Sequence, residues 1–111
     1  MKAAPFKNLK VLVVDDEAPL LNLLKTNLLT MGYSVAATES AEVALKKVAE
    51  TNFNVLVSDI RLGKMDGLEM GKKMREKDAA IAMVFITGKP NVNGMASAQS
   101  LGAVQYIAKP V

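Results

Sequence analysis

Phe53-Asn54-Val55-Leu56-Val57-Ser58-Asp59 is a short apolar run closed by a carboxylate. Toward the amino end, Leu9-Lys10-Val11-Leu12-Val13-Val14 is closed in the same way by Asp15-Asp16, and toward the carboxyl end two more apolar runs close in Thr87 and in Lys109. A continuous Val/Leu run of this length, without polar alternation, reads as a strand buried on both faces. Segments of helical period lie between the runs. Leu20, Leu21, Leu24, Leu28 and Met31 form one apolar stripe, ended by Gly32. Ser40 N-caps a second helix with the stripe Ala41, Ala44, Leu45 and Val48. Leu68, Gly71 and Met74 share one side of a third. Residues 91–101 make a weaker fourth, because Asn91, Asn93 and Gly94 are poor helix formers. Strands are expected at 11–14, 33–37, 53–58, 81–86 and 104–108.

Strict alternation of strand and helix predicts an α/β fold: a doubly wound parallel sheet with right-handed crossovers and helices on both faces. In such sheets the ligand site lies outside the carboxyl ends of the strands, where the strand order reverses. Asp15, Asp16, Asp59, Thr87 and Lys109 all fall at such ends, so five residues distant in sequence are expected to meet on one edge. No Gly-rich phosphate fingerprint follows the first strand. With 111 residues, half of them apolar, and no repeat or linker, the chain reads as one domain over 1–111.

Composition narrows the chemistry. The chain has no cysteine and no histidine, which removes thiolate nucleophiles, Cys- or His-ligated metals, His-dependent triads and phosphohistidine on this chain. The formal charge is +3, yet no basic run exceeds two residues and aromatic residues make up only 5%. Direct nucleic-acid binding is therefore not expected. No run reaches membrane-spanning length and the amino end lacks an apolar signal segment, so a soluble cytoplasmic protein is expected. The seven methionines read as core filler.

Three carboxylates within a few Å repel one another unless a cation joins them. An all-oxygen site with open positions suits Mg²⁺, and Mg²⁺ with Lys109 would balance Asp15, Asp16 and Asp59. A phosphoryl group delivered to one carboxylate would find a metal, an ammonium and a hydroxyl around it, which is most of what phosphoryl transfer demands. Taken singly, Asp16 also reads as a helix cap, Asp59 and Thr87 as turn residues, Lys109 as a surface lysine and Tyr106 as a strand aromatic. Glu17 reads as a first-turn helix acid. Only their joint placement calls for a site.

Four segments carry a resemblance: Val13-Val14-Asp15-Asp16-Glu17, Ser58-Asp59-Ile60-Arg61-Leu62-Gly63-Lys64-Met65-Asp66-Gly67, Ile86-Thr87-Gly88 and Tyr106-Ile107-Ala108-Lys109-Pro110. In order and spacing the chain resembles the receiver domain of two-component response regulators. The resemblance implies a flavodoxin-like five-stranded sheet in the order 2-1-3-4-5. It implies Asp59 as phosphoacceptor, served by a histidine kinase or a histidine phosphotransfer protein. Mg²⁺ would be held by Asp16, Asp59 and the backbone carbonyl of Arg61, with Asp15 acting through water. Lys109 would pair with Asp59 and then with the phosphoryl group; Thr87 and Tyr106 would form the switch; Pro110 implies a cis Lys109-Pro110 bond. The implied output is an attached domain or a partner protein, and the implied catalysis is self-phosphorylation and autodephosphorylation alone.

Departures from the family pattern are Gly63, where proline is usual, and the long cationic Arg61, which would screen the phosphoryl group from water. The chain also stops where a fifth helix would start; a trimmed chain is the simplest reading, and a homodimer through the uncovered sheet face is a further expectation. Two alternatives remain at this point: a Mg²⁺-dependent phosphohydrolase with an Asp nucleophile, and a non-phosphorylated receiver-like interaction module.

Overall fold

The computed structural model describes residues 9–62 and 65–109. Gly63, and Pro110 with the cis bond expected of it, lie outside the described residues. The elements alternate: β1 (Lys10–Val14), α1 (Ala18–Thr30), β2 (Ser34–Thr38), α2 (Ala41–Glu50), β3 (Val55–Asp59), α3 (Gly67–Lys77), β4 (Ala82–Thr87), α4 (Val92–Ser100) and β5 (Gln105–Ala108). The five strands are parallel in the order β2-β1-β3-β4-β5, as expected. Strand order reverses between β1 and β3, and that reversal opens the crevice the site needs.

Side chains alternate across the sheet and sort into two apolar clusters. Leu12, Val14, Leu56, Met83 and Phe85 pack with Ala41 and Ala44 of α2, Met70 and Met74 of α3, and Ala98 of α4. Val11 and Val13 face the other way, against Leu21, Leu24 and Leu28 of α1. Val55 and Val57 share that second face and are only half-buried.

Helix ends follow the chemistry of their residues. Gly32 takes φ +97° after α1, where a side chain would be strained, and its N–H bonds the Leu29 carbonyl at 3.0 Å. Ser40 caps α2 by accepting from Val43 N at 3.2 Å. Met31 departs from the expected stripe: it follows the last turn of α1 and is 66% exposed, because helical spacing stops predicting burial where the helix stops. Met95 is also exposed, whereas Met70, Met74 and Met83 are fully buried, so the methionines are not uniformly core. Among the described residues no helix is long and apolar enough to cross a membrane.

Candidate functional site

Strand register sets the site. Val14, the last residue of β1, lies opposite Ser58, so Asp15 and Asp59 emerge side by side one step further on. Asp59 in turn lies opposite Ile86, one residue before Thr87. Thr87 lies opposite Ala108, and Lys109 N donates to the Thr87 carbonyl at 2.8 Å. The ladder thus fixes the backbone beneath the acids, the hydroxyl and the lysine without help from loops.

Asp59 is buried and its two carboxylate oxygens are placed differently. Oδ1 accepts from Arg61 N at 3.2 Å, and Oδ2 accepts from the Lys109 ammonium at 2.9 Å. The wall beneath it is α3. Gly67 N donates to the Ile60 carbonyl at 2.6 Å, and a Cβ at position 67 would overlap the Asp59 carbonyl oxygen. Asp66 caps this helix by accepting from Glu69 N at 2.9 Å. Glycine at position 67 is therefore what lets α3 begin directly against the strand end.

Asp15 is almost fully buried, at 1% exposure. Its Oδ1 accepts from Glu17 N at 2.8 Å, while Oδ2 lies 3.4 Å from the Lys109 ammonium and has no hydrogen-bond partner. Burial pushes the Asp15 carboxyl above its ordinary range, the Glu17 amide opposes this, and the neighbouring Asp59 charge adds to the rise. Lys109 behaves in the opposite sense. Burial works against its charge, but hydrogen bonds to Glu17 and Asp59, with the charge of Asp15, overcome that and hold the ammonium above its usual range.

The structure brings Asp15, Asp59 and Lys109 into direct contact. It also brings in Glu17, whose Oε1 accepts from the Lys109 ammonium. Glu17 stands at the N-cap of α1 and not in its first turn, and its side chain makes no capping bond. Asp16 follows the end of β1 at a bend in the chain and is exposed. With Glu17, Asp59, Arg61 and Lys109 it lines an open depression of about 270 Å³. Thr87 is buried beside the site with its hydroxyl accepting from Lys89 N at 3.1 Å. Tyr106 lies further off, its hydroxyl 3.4 Å from Asn91 N at the start of α4.

Among the described residues, carboxylate oxygens of Asp15, Glu17 and Asp59 lie within 4.8 Å of one another. Three carboxylates around one ammonium leave two negative charges, the donors are all oxygen, and one buried oxygen is unpartnered. That set fits a hard divalent cation such as Mg²⁺.

This geometry defines a class: a buried carboxylate at a strand end of a parallel sheet, flanked by further acids able to hold a metal ion, a lysine and a hydroxyl. Comparison with known proteins agrees. The response regulator receiver domain family matches residues 11–111, and the chain belongs to that family. It is 36% identical over 103 residues to the alkaline phosphatase synthesis transcriptional regulatory protein PhoP of Bacillus subtilis, covering 93% of this chain and 43% of that protein. The chain spans less than half the length of the curated relatives it matches.

Among solved structures, a CheY-like receiver domain protein from Methanospirillum hungatei is 30% identical with a TM-score of 0.90, over 94% of this chain and 83% of that one. The response regulator TrrA of Thermotoga maritima, solved with Mg²⁺ and a beryllium fluoride, is 30% identical with a TM-score of 0.82, over 92% of this chain and 87% of that one. By its family the chain is a phospho-accepting switch domain, and its cluster of carboxylate oxygens suits a hard divalent cation.

Proposed function

We propose that Asp59 is the phosphoacceptor and that residues 1–111 work as one receiver domain within a cytoplasmic two-component pathway. The observation that carries this is the setting of Asp59: buried at the carboxyl end of β3, with Lys109 on one carboxylate oxygen and the Arg61 amide on the other. An Asp59 oxygen attacks phosphorus of a phosphohistidine. The P–N bond breaks with its electrons leaving on the imidazole, and an acyl phosphate forms. The chain has no histidine, so a histidine kinase or phosphotransfer protein supplies it. Asp16, Asp59 and the Arg61 carbonyl, with Asp15 through water, would hold Mg²⁺, and the bound ion would supply charge stabilisation to the transferring phosphoryl group.

Lys109 then exchanges its bond to Asp59 for one to a phosphoryl oxygen. Thr87 turns its hydroxyl from Lys89 N toward the same group, and Tyr106 follows. The new balance of contacts biases the surface that an output domain or partner protein reads. A homodimer would use the sheet face where Val55 and Val57 are half-buried; a clean monomer by light scattering at high concentration would remove it. The central test incubates the protein with a small phosphodonor and Mg²⁺ and weighs it. Wild type gains one phosphoryl mass and Asp59→Asn gains none. An undiminished gain in Asp59→Asn would place the acceptor elsewhere.

A further inference from the structure

Lys109 is held by more than an acceptor pair requires. Its ammonium bonds Asp59 Oδ2 at 2.9 Å and Glu17 Oε1, and the unpartnered Asp15 Oδ2 lies 3.4 Å away. The three carboxylates differ in depth: the Asp15 and Asp59 side chains are 1% and 5% exposed, while Glu17 is 60% exposed. The ammonium therefore stands between two interior acids and one at the mouth. As a cap, Glu17 is poorly suited to its position. N-cap positions favour Ser, Thr, Asp or Asn, and the Glu17 side chain caps nothing.

Resting on the assignment of Asp59 and Lys109 above, we propose that Glu17 is a positioning residue for Lys109. It draws the ammonium toward the mouth of the site and so keeps the buried Asp15 Oδ2 without a hydrogen bond and open to a divalent cation. The lysine backbone is pinned by its bond to the Thr87 carbonyl, so only the side chain can respond. Without Glu17, the carboxylates left in contact with the ammonium are Asp15 and Asp59. The ammonium then settles onto them and competes with the cation for the same oxygens.

Mg²⁺ binding is measured by calorimetry on wild type, Glu17→Gln, Glu17→Asp, Lys109→Ala and the Glu17→Gln/Lys109→Ala double variant. Glu17→Gln weakens Mg²⁺ binding roughly two- to fivefold, the range an exposed ion pair allows. Glu17→Asp keeps the charge but is a methylene short of the ammonium, and it weakens binding as Gln does. In the Lys109→Ala background the Gln substitution changes nothing measurable, because the ammonium it acts through is gone. Equal loss in both backgrounds, wild-type binding by Glu17→Asp, or no loss in Glu17→Gln would each overturn the proposal. Phosphoryl mass gain is read separately on the same proteins: its absence in wild type counts against Asp59 as acceptor, whereas absent coupling counts against Glu17 alone.

Discussion

The helices α3 and α4 make an instructive pair. Each follows a site strand and each is opened by a side-chain cap, Asp66 on Glu69 N and Asn91 on Gly94 N. Beyond the caps they diverge. α3 buries Gly67, Met70, Gly71 and Met74, and its first residue presses on the Asp59 carbonyl. α4 buries only Ala98 and leaves Val92 and Met95 exposed. Its carboxyl end is tied to α3 by the Arg75 guanidinium, which donates to the Leu101 carbonyl at 3.0 and 2.8 Å. Its amino end is met by the Tyr106 hydroxyl through one long contact of 3.4 Å to Asn91 N. Asp59 is thus walled by a helix built into the core, and the hydroxyl side of the site is followed by one that is loosely held. The deeply packed wall and the lightly packed helix are separate elements, the division a conformational switch would need.

The sharpest way to break this contrast is at Gly67. An alanine Cβ there meets backbone, the Asp59 carbonyl oxygen, with Ser58 Oγ 3.0 Å away. The carbonyl cannot yield without moving the strand end, so Gly67→Ala should cost on the order of 3 kcal/mol, measured by denaturant unfolding. It should also slow phosphorylation by a small phosphodonor. A variant as stable as wild type would mean that α3 is not a fixed wall.

A smaller effect tests whether the acidic side can relax. Asp15 is buried with one oxygen unpartnered and its pKa raised by burial, with Asp59 adding to the rise. Between the unfolded value near 3.8 and the higher folded value, the folded chain holds more protons than the unfolded one. Stability from this group therefore falls as pH rises through that window, and the full cost is present above it. Asp15→Asn removes the cost, so the metal-free variant should be more stable at neutral pH by about 1–2 kcal/mol. That advantage should vanish below the window, and Mg²⁺ should stabilise wild type more than the variant. Equal unfolding midpoints at neutral pH would show that the acidic side has rearranged to satisfy Asp15.

Strand ends were legible because each buried run stops at a polar residue. The limits shift by a residue or two, as at β2, which spans Ser34–Thr38 and not 33–37. The weak fourth helix was legible from Asn91, Asn93 and Gly94. What the sequence did not expose depends on contacts remote along the chain. Glu17 meets a lysine 92 residues away, so local pattern could only offer it to the helix dipole. The one available signal was a third acid directly after Asp15-Asp16, at an N-cap where glutamate is a poor choice. Arg75 is similar, since its partner Leu101 lies 26 residues on.

The mildest perturbation asks whether the loose helix yields where the rigid one would not. A Cβ on Gly94 would lie 2.7 Å from the Tyr106 hydroxyl, by distance alone too close to be tolerated. The difference from Gly67 is that a half-buried tyrosine can swing its ring aside, whereas a carbonyl in a central strand cannot. Alanine also favours the helix over glycine by about 1 kcal/mol, which offsets the loss of the Asn91 N contact. Gly94→Ala should therefore unfold within about 1 kcal/mol of wild type, while the Tyr106 ring resonances shift as the hydroxyl leaves the amino end of α4. If it costs as much as Gly67→Ala, the amino end of α4 is built as firmly as α3, and the division between fixed and movable halves fails.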